Sequence, residues 1–139
     1  FMEFKTFHGT WQMNKFVGGG VKSFRINCWK RKNIVPGERT TCNTHPHNYY
    51  LEILTDLGLI GFLIFSSIFA TVLYLSFVKK YFLSSALTNN HVVTPFMFLF
   101  LMEIFPIKTS GSFFTTTNAT FIFLILAVIV GLLRRENLN

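Results

Sequence analysis

The chain has 139 residues, of which half are hydrophobic and only 14% are charged. The apolar residues are gathered into long uncharged runs, which excludes an ordinary soluble domain and favours a membrane protein. The formal charge of +7 is uneven, because residues 1–46 hold eight Lys or Arg against two acidic residues. The basic character therefore belongs to the first third of the chain.

Residues 1–46 mix aromatic, polar and basic groups with two turn-forming elements, Gly18-Gly19-Gly20 and Pro36-Gly37. Glycine and proline favour turns, and no apolar run of about 20 residues occurs in this segment. We therefore predict an extramembrane loop. Long loops are translocated largely regardless of their charge, so the basic charge suggests an anionic ligand.

The next segment predicts a helix that starts near Pro46 and becomes membrane-spanning. The run from Gly58 to Val78 holds 21 residues without a charge, and a bilayer core of about 30 Å needs roughly 20 helical residues. We predict an all-α, polytopic helical membrane protein with a loop at 1–46 and a transmembrane region at 47–139. The expected spans, about three, are 50–78, 92–107 and 115–133.

The orientation of these spans is predicted from their basic flanks. Lys79-Lys80 and Arg134-Arg135 follow odd-numbered spans and so share one side, which the bias of short basic loops makes the cytoplasm. The loop at 1–46 then lies on the opposite side. Since three spans cannot enclose a large polar site, we expect the chain to be the C-terminal part of a longer protein.

Two histidines, His45 and His47, stand just outside the first predicted span. At 100° per residue from His47, Gly58 and Gly61 lie within about 40° of the same helical stripe. Small residues at this spacing let a neighbouring helix approach closely. The partial positive charge of a helix N-terminus disfavours imidazolium, which keeps His47 neutral and able to act as a base.

Plainer interpretations stand beside this one. His47 could be an interfacial histidine that caps or hydrogen-bonds locally. We predict no metal site, because His45 and His47 lack a nearby third ligand and Glu52 lies on another helix face. The run Lys30-Arg31-Lys32 is interpreted as a solvated charge run.

The only cysteines, Cys28 and Cys42, lie in the loop, on either side of Pro36-Gly37. On the oxidising side of the membrane a disulfide is expected, closing a loop of about 15 residues and stabilising it by roughly 3 kcal/mol. It would hold the basic segment beside His47. Two free buried thiols are the alternative.

The segment around the histidines also carries a family resemblance. His47-Asn48, nine residues, Gly58, two residues and Gly61 form a pattern that is similar to the one marking the O-antigen ligase and O-antigen polymerase family, and residues 43–62 resemble it throughout. The segment from Gly18 to Phe24 and residues 105–114 resemble it less specifically.

The resemblance implies glycan transfer from undecaprenyl diphosphate to a hydroxyl acceptor at the periplasmic face of the bacterial inner membrane. The acceptor would be lipid A-core or a growing O-antigen or polysaccharide chain. The enzyme would be a metal-independent inverting glycosyltransferase without a cofactor, in which His47 activates the acceptor hydroxyl. Its partners would be the lipid-linked donor, the acceptor and membrane lipids, and no nucleic acid.

In this family arginines of the periplasmic loops bind the diphosphate, and an arginine can pair with two phosphate oxygens at once. The candidate substrate-binding residues here are Arg25, Arg39, Lys22, His45 and Asn48. A different class of function, a small transporter or channel subunit with a basic vestibule that attracts anions, is the alternative. It would leave the histidine–glycine spacing unexplained.

Overall fold

The computed structural model describes residues 2–32, 34, 42–82, 92–106 and 111–136, and within them the fold is all-α, as predicted. The helices are α1 (Met2–Trp11), α2 (Phe24–Asn27), α3 (Tyr49–Leu73), α4 (Val93–Glu103) and α5 (Thr116–Glu136). Short 3-10 helices, Gln12–Asn14 and Cys28–Lys30, follow α1 and α2, and a π-helix, Tyr74–Phe82, extends α3.

Two helical segments are long and apolar enough to cross a bilayer, Tyr49–Val78 with 30 residues and Thr116–Arg135 with 20. Helix α4 has 11 residues, or about 16 Å at 1.5 Å per residue, which is shorter than a bilayer core of about 30 Å. The expected middle span at 92–107 is therefore a shorter apolar helix. Helix α4 ends at Glu103 because Pro106 disfavours helical geometry in the residue before it.

The described residues form two compact units, the first from Phe1–Phe65 with Pro106–Thr115 and the second from Ser66–Phe105 with Thr116–Asn139. In the second unit α4 and α5 pack together. Phe100 is fully buried there, with its ring centroid 5.6 Å from that of Phe69. Large apolar side chains such as Leu124 and Met102 are more than half exposed, which is typical of a lipid-facing surface.

Candidate active site

The site is built on the first turn of α3, which begins at Tyr49 because Asn48 caps it. The Oδ1 atom of Asn48 accepts hydrogen bonds from the backbone N–H groups of Tyr50 (3.0 Å) and Leu51 (3.2 Å), which satisfies two donors that a helix N-terminus leaves unpaired. Its Nδ2 donates to the Pro106 carbonyl at 2.8 Å. Asn48 thus holds the helix start, and the substrate contact expected of it stays a prediction.

His47 lies just before this cap and outside α3, with φ at +53°. The expectation that the helix begins near Pro46 is corrected by this backbone, because a left-handed residue does not continue a helix. Such a conformation costs on the order of 1 kcal/mol or more in a residue other than glycine, and such residues cluster at functional sites. The ring is half-buried, and its Nε2 lies 3.0 Å from the Asn43 amide nitrogen.

His45 lies against His47, with the two ring centroids 4.6 Å apart and the planes inclined by 55°. The Nδ1 atom of His45 is 3.0 Å from the Thr44 hydroxyl, whereas its buried Nε2 has no hydrogen-bond partner among the residues that the structure describes. Burial, and then the neighbouring charge of His47, lower the pKa of His45 from its ordinary value of 6.5. Both effects favour the neutral form of His45.

Gly58 interrupts α3, since its φ of 68° and ψ of −168° are not helical. Residues 15–20 of the loop dock at this break. The carbonyls of Thr55 and Asp56, at the end of the first half of α3, accept hydrogen bonds from the N–H groups of Gly19 (3.0 Å) and Gly20 (2.9 Å). The loop therefore pairs carbonyls that the interrupted helix leaves without helical partners.

The second half of α3 pairs with the same loop in the opposite sense. The N–H groups of Leu59 and Ile60 donate to the carbonyls of Lys15 (2.9 Å) and Phe16 (3.1 Å). Helix α3 thus supplies the acceptors before the break and the donors after it. These backbone hydrogen bonds fix the basic loop to the helix that follows His47.

Glycine is required on both sides of this contact. A Cβ atom at Gly58 would overlap the Phe16 carbonyl, and one at Gly18 would overlap the Asp56 carbonyl. Both glycines also have positive φ, 68° and 73°, where other residues are strained. The backbone of the loop therefore packs against Gly58, whereas the helical stripe predicted that a neighbouring helix would pack there.

Gly61 was expected to extend that stripe, but the break at Gly58 interrupts the 100° progression along the helix. A Cβ atom at Gly61 would overlap the side chain of Leu57, in the helical turn before it. The space at Gly61 is therefore filled by the helix's own side chain.

Two buried acids of α3 were not recognised from the sequence as parts of the site. Asp56 is fully buried, and its carboxylate accepts hydrogen bonds from the Lys22 N–H and, at 3.2 Å, from the Ser23 hydroxyl. The bond to the Lys22 N–H fixes the backbone of Lys22, which is left-handed like that of His47, with φ of +60°. Asp56 thus ties the start of α2 to the helix of the histidine site.

Glu52 is only 2% exposed, and its two carboxylate oxygens accept hydrogen bonds from the Ser112 hydroxyl and the Phe113 N–H. Glu52 and Asp56 are four residues apart and so share a helix face. The sequence did contain a signal for them, namely two acids at i and i+4 beside an apolar run. Carboxylates are seldom buried without partners, so such a pair indicates polar contacts with another segment.

The structure joins Cys28 and Cys42 in a disulfide, with Cα atoms 5.8 Å apart. Arg31 is only 7% exposed. Its Nη1 donates to the Cys28 carbonyl at 3.1 Å and lies 3.0 and 3.1 Å from the sulfurs of Cys28 and Cys42. The interpretation of 30–32 as a solvated run is therefore wrong for Arg31, while Lys30 and Lys32 are exposed.

The other candidate residues stand as follows. The side chains of Lys22 and Arg25 are exposed at the start of α2, and Arg39 lies outside the described residues. Across the described part of the chain, no three His, Cys, Asp or Glu side chains are grouped so that they could hold a metal ion.

The class of protein follows from these features: an all-helical membrane protein, with two membrane-length helical segments and a polar site at the start of the first. Residues 4–66 match the family model described as O-antigen ligase. The matched segment contains the disulfide, His47, Gly58 and Gly61, so the resemblance indicated by the histidine–glycine pattern is confirmed for these residues. The match supports glycan transfer of the O-antigen ligase type in general. The chain has no match among curated proteins or solved structures.

Proposed function

We propose that the protein transfers a glycan from undecaprenyl diphosphate to a hydroxyl acceptor at the periplasmic face of the bacterial inner membrane, with His47 as the general base. The observation that carries this proposal is the position of His47 within the family-matched segment. Its imidazole precedes a capped helix that is bonded through its backbone to a basic loop. One compact unit thus holds a base and cationic side chains.

The proton step uses the Nε2 atom of His47. The acceptor hydroxyl loses its proton as its oxygen attacks the anomeric carbon, and a neutral imidazole within hydrogen-bond reach can take that proton. The exposed Asn43 amide lies 3.0 Å from Nε2. We infer that this amide marks the position of the acceptor hydroxyl, which replaces it on binding.

The leaving group is undecaprenyl diphosphate. Attack from the opposite face of the sugar forms the new C–O bond as the bond to the diphosphate breaks, which inverts the anomeric centre. Negative charge grows on the departing diphosphate, and fixed cations stabilise it. Lys22 and Arg25 are the described candidates, because the Asp56 carboxylate binds the Lys22 N–H and the Ser23 hydroxyl, just before the helix that carries Arg25. Arg39 remains a candidate from the sequence. These cations make the proposed mechanism metal-independent.

The proposed location agrees with a lipid-linked donor. The segment Tyr49–Val78 begins two residues after His47, which supports a position of the base near the lipid headgroups from which the diphosphate would extend. The basic residues Lys79-Lys80 follow the first membrane-length segment, as expected of a cytoplasmic flank. Lipid A-core and a growing O-antigen or polysaccharide chain are the proposed acceptors.

The test is reconstitution of the complete protein with an undecaprenyl-diphosphate-linked oligosaccharide and a hydroxyl acceptor. Nuclear magnetic resonance of the product reports the anomeric configuration. We expect inversion, and an unchanged rate when EDTA is present. Retention of configuration, or a rate that depends on added divalent metal, would contradict the mechanism.

A further inference from the structure

A cleft of about 400 Å³ lies in the first unit, between the end of α1 and the disulfide segment. It is lined by Gly9, Gln12, Met13, Lys30 and Lys32. His45 and His47 do not line this cleft, so the mechanism proposed above makes no use of it.

The two lysines face the same cleft because of the residue between them. Arg31 is extended, with φ of −63° and ψ of 143°, and side chains on either side of an extended residue point away from its own. The Arg31 guanidinium turns inward to the carbonyl of Cys28 and to the disulfide sulfurs. The disulfide and the buried Arg31 therefore fix the backbone that carries both lysines.

The charge of the lining favours an anion. Two lysines line the cleft, and no carboxylate is among the described residues that line it. Like charges held together repel, and an anion between them removes that repulsion. Gln12 adds an amide that can donate or accept a hydrogen bond, and this amide lies 3.4 Å from the ring of His8.

The size and apolar part of the lining favour an anion that is carried on a larger molecule. A volume of about 400 Å³ is within the range of small-molecule sites, roughly 300–1,000 Å³. The Met13 side chain is 40% exposed and offers apolar surface. An inorganic anion gains little from such a surface, whereas a sugar ring can pack its C–H face on it.

We propose that this cleft binds an anionic saccharide, a sugar that bears a phosphate or a carboxylate. This proposal rests on the proposed function, because it takes a glycan to be the substrate. It adds a second glycan contact, apart from His47, in the same unit. The lysines bind the anionic group, and Gln12 and Met13 contact the ring.

The experiment uses the complete protein in lipid nanodiscs and measures dissociation constants by ligand-observed nuclear magnetic resonance. The probes are glucose 6-phosphate, glucuronate, glucose and inorganic phosphate. We expect both anionic sugars to bind more tightly than glucose or phosphate, and more weakly as salt rises. Replacing both Lys30→Gln and Lys32→Gln should weaken their binding by about tenfold or more, because charge-assisted hydrogen bonds are lost.

The matched control is Lys15→Gln, which removes one exposed charge of the same loop outside the cleft. It should leave the dissociation constants nearly unchanged. An equal loss in this variant, or no loss in the double variant, would overturn the proposal in favour of a diffuse charge effect. Inorganic phosphate binding as tightly as glucose 6-phosphate would overturn its saccharide part.

The same titration in His47→Ala separates the two proposals, because the cleft should bind anionic sugars whether or not the base is present. If the complete protein transfers no glycan but shows lysine-dependent sugar binding, the proposed function fails and the cleft stands. If transfer proceeds while the anionic sugars do not bind, the cleft fails alone.

Discussion

The two units of the molecule are stabilised in different ways. Among its described residues, the first unit buries three charged side chains, Arg31, Glu52 and Asp56. Glu52 and Asp56 accept hydrogen bonds from residues far away in the sequence, and Arg31 donates at the disulfide. Among the described residues of the second unit, the buried polar side chain is Ser76, whose hydroxyl bonds within its own helix. An apolar surface suffices for helices that face lipid, whereas a catalytic side chain needs directional contacts that fix one geometry.

Among the substitutions that test this difference between the units, Gly58→Val is expected to have the largest effect, a loss of transfer rate. The added side chain would overlap the Phe16 carbonyl and would be strained at positive φ, so the loop can no longer dock. Displacing substrate-positioning groups by about 1 Å can cost about 10²-fold in rate, and we expect at least that loss of glycan transfer. The rate is measured with the reconstituted complete protein.

The control for this variant is Gly131→Val in α5, where an added Cβ meets no atom within 4 Å. It should leave the transfer rate close to that of the natural protein. Equal losses in the two variants would show that docking at Gly58 has no special part in the site.

A smaller effect is expected from removal of the disulfide by replacing both Cys28→Ser and Cys42→Ser. The bridge closes a loop of about 15 residues, which corresponds to roughly 3 kcal/mol of stability in the chain-entropy model. The free energy of unfolding of the first unit should fall by about that amount in denaturant titrations. In cells the thiols should resist alkylation until they are reduced, and mass spectrometry that recovers both as alkylated thiols without reduction would rule the bridge out.

Asp56→Asn should cost about 1–3 kcal/mol, because one carboxylate acceptor becomes an amide donor that faces the Lys22 N–H. Hydrogen exchange should report this as faster exchange at the amides of Gly19 and Gly20, which bond to the adjacent part of α3. Unchanged protection of these two amides would mean that the backbone contact holds the loop without the carboxylate.

The smallest effect is expected from pH. The folded state lowers the pKa of His45 below its ordinary value of 6.5, so the unfolded chain binds the proton more readily. The stability associated with neutral His45 is present above about pH 6.5 and is lost as the pH falls below it. Thermal unfolding between pH 8 and pH 5 should show a shallower decline in His45→Gln. A decline of the same slope would assign the pH dependence to other groups.

The sequence predicted the regular parts of this molecule and missed the long-range polar contacts. The uncharged run from Gly58 to Val78 predicts a membrane-length helix because hydropathy is a local property. The helical wheel through Gly58 failed because the break depends on residues 15–20, some forty positions earlier. Backbone hydrogen bonds of this kind leave no side-chain pattern in the sequence.

The site itself was predicted unevenly for the same reason. The histidine–glycine spacing singled out His47, but its left-handed backbone and the capping role of Asn48 depend on local geometry that residue types do not determine. Arg31 was interpreted as solvated because it lies in a run of three charges, whereas its burial depends on contacts with the Cys28 carbonyl and the disulfide sulfurs.

The most direct test of the central claim is the transfer rate of His47→Ala in the complete protein. A general base contributes typically 10²–10⁴-fold to rate and little to folding, so the rate should fall by about that factor at an unchanged amount of membrane-inserted protein. His45→Ala should lose less, and His8→Ala, which changes an exposed histidine of α1, should lose almost nothing. Full activity of His47→Ala at normal protein levels would contradict the mechanism, and loss of the protein from the membrane would assign His47 to folding.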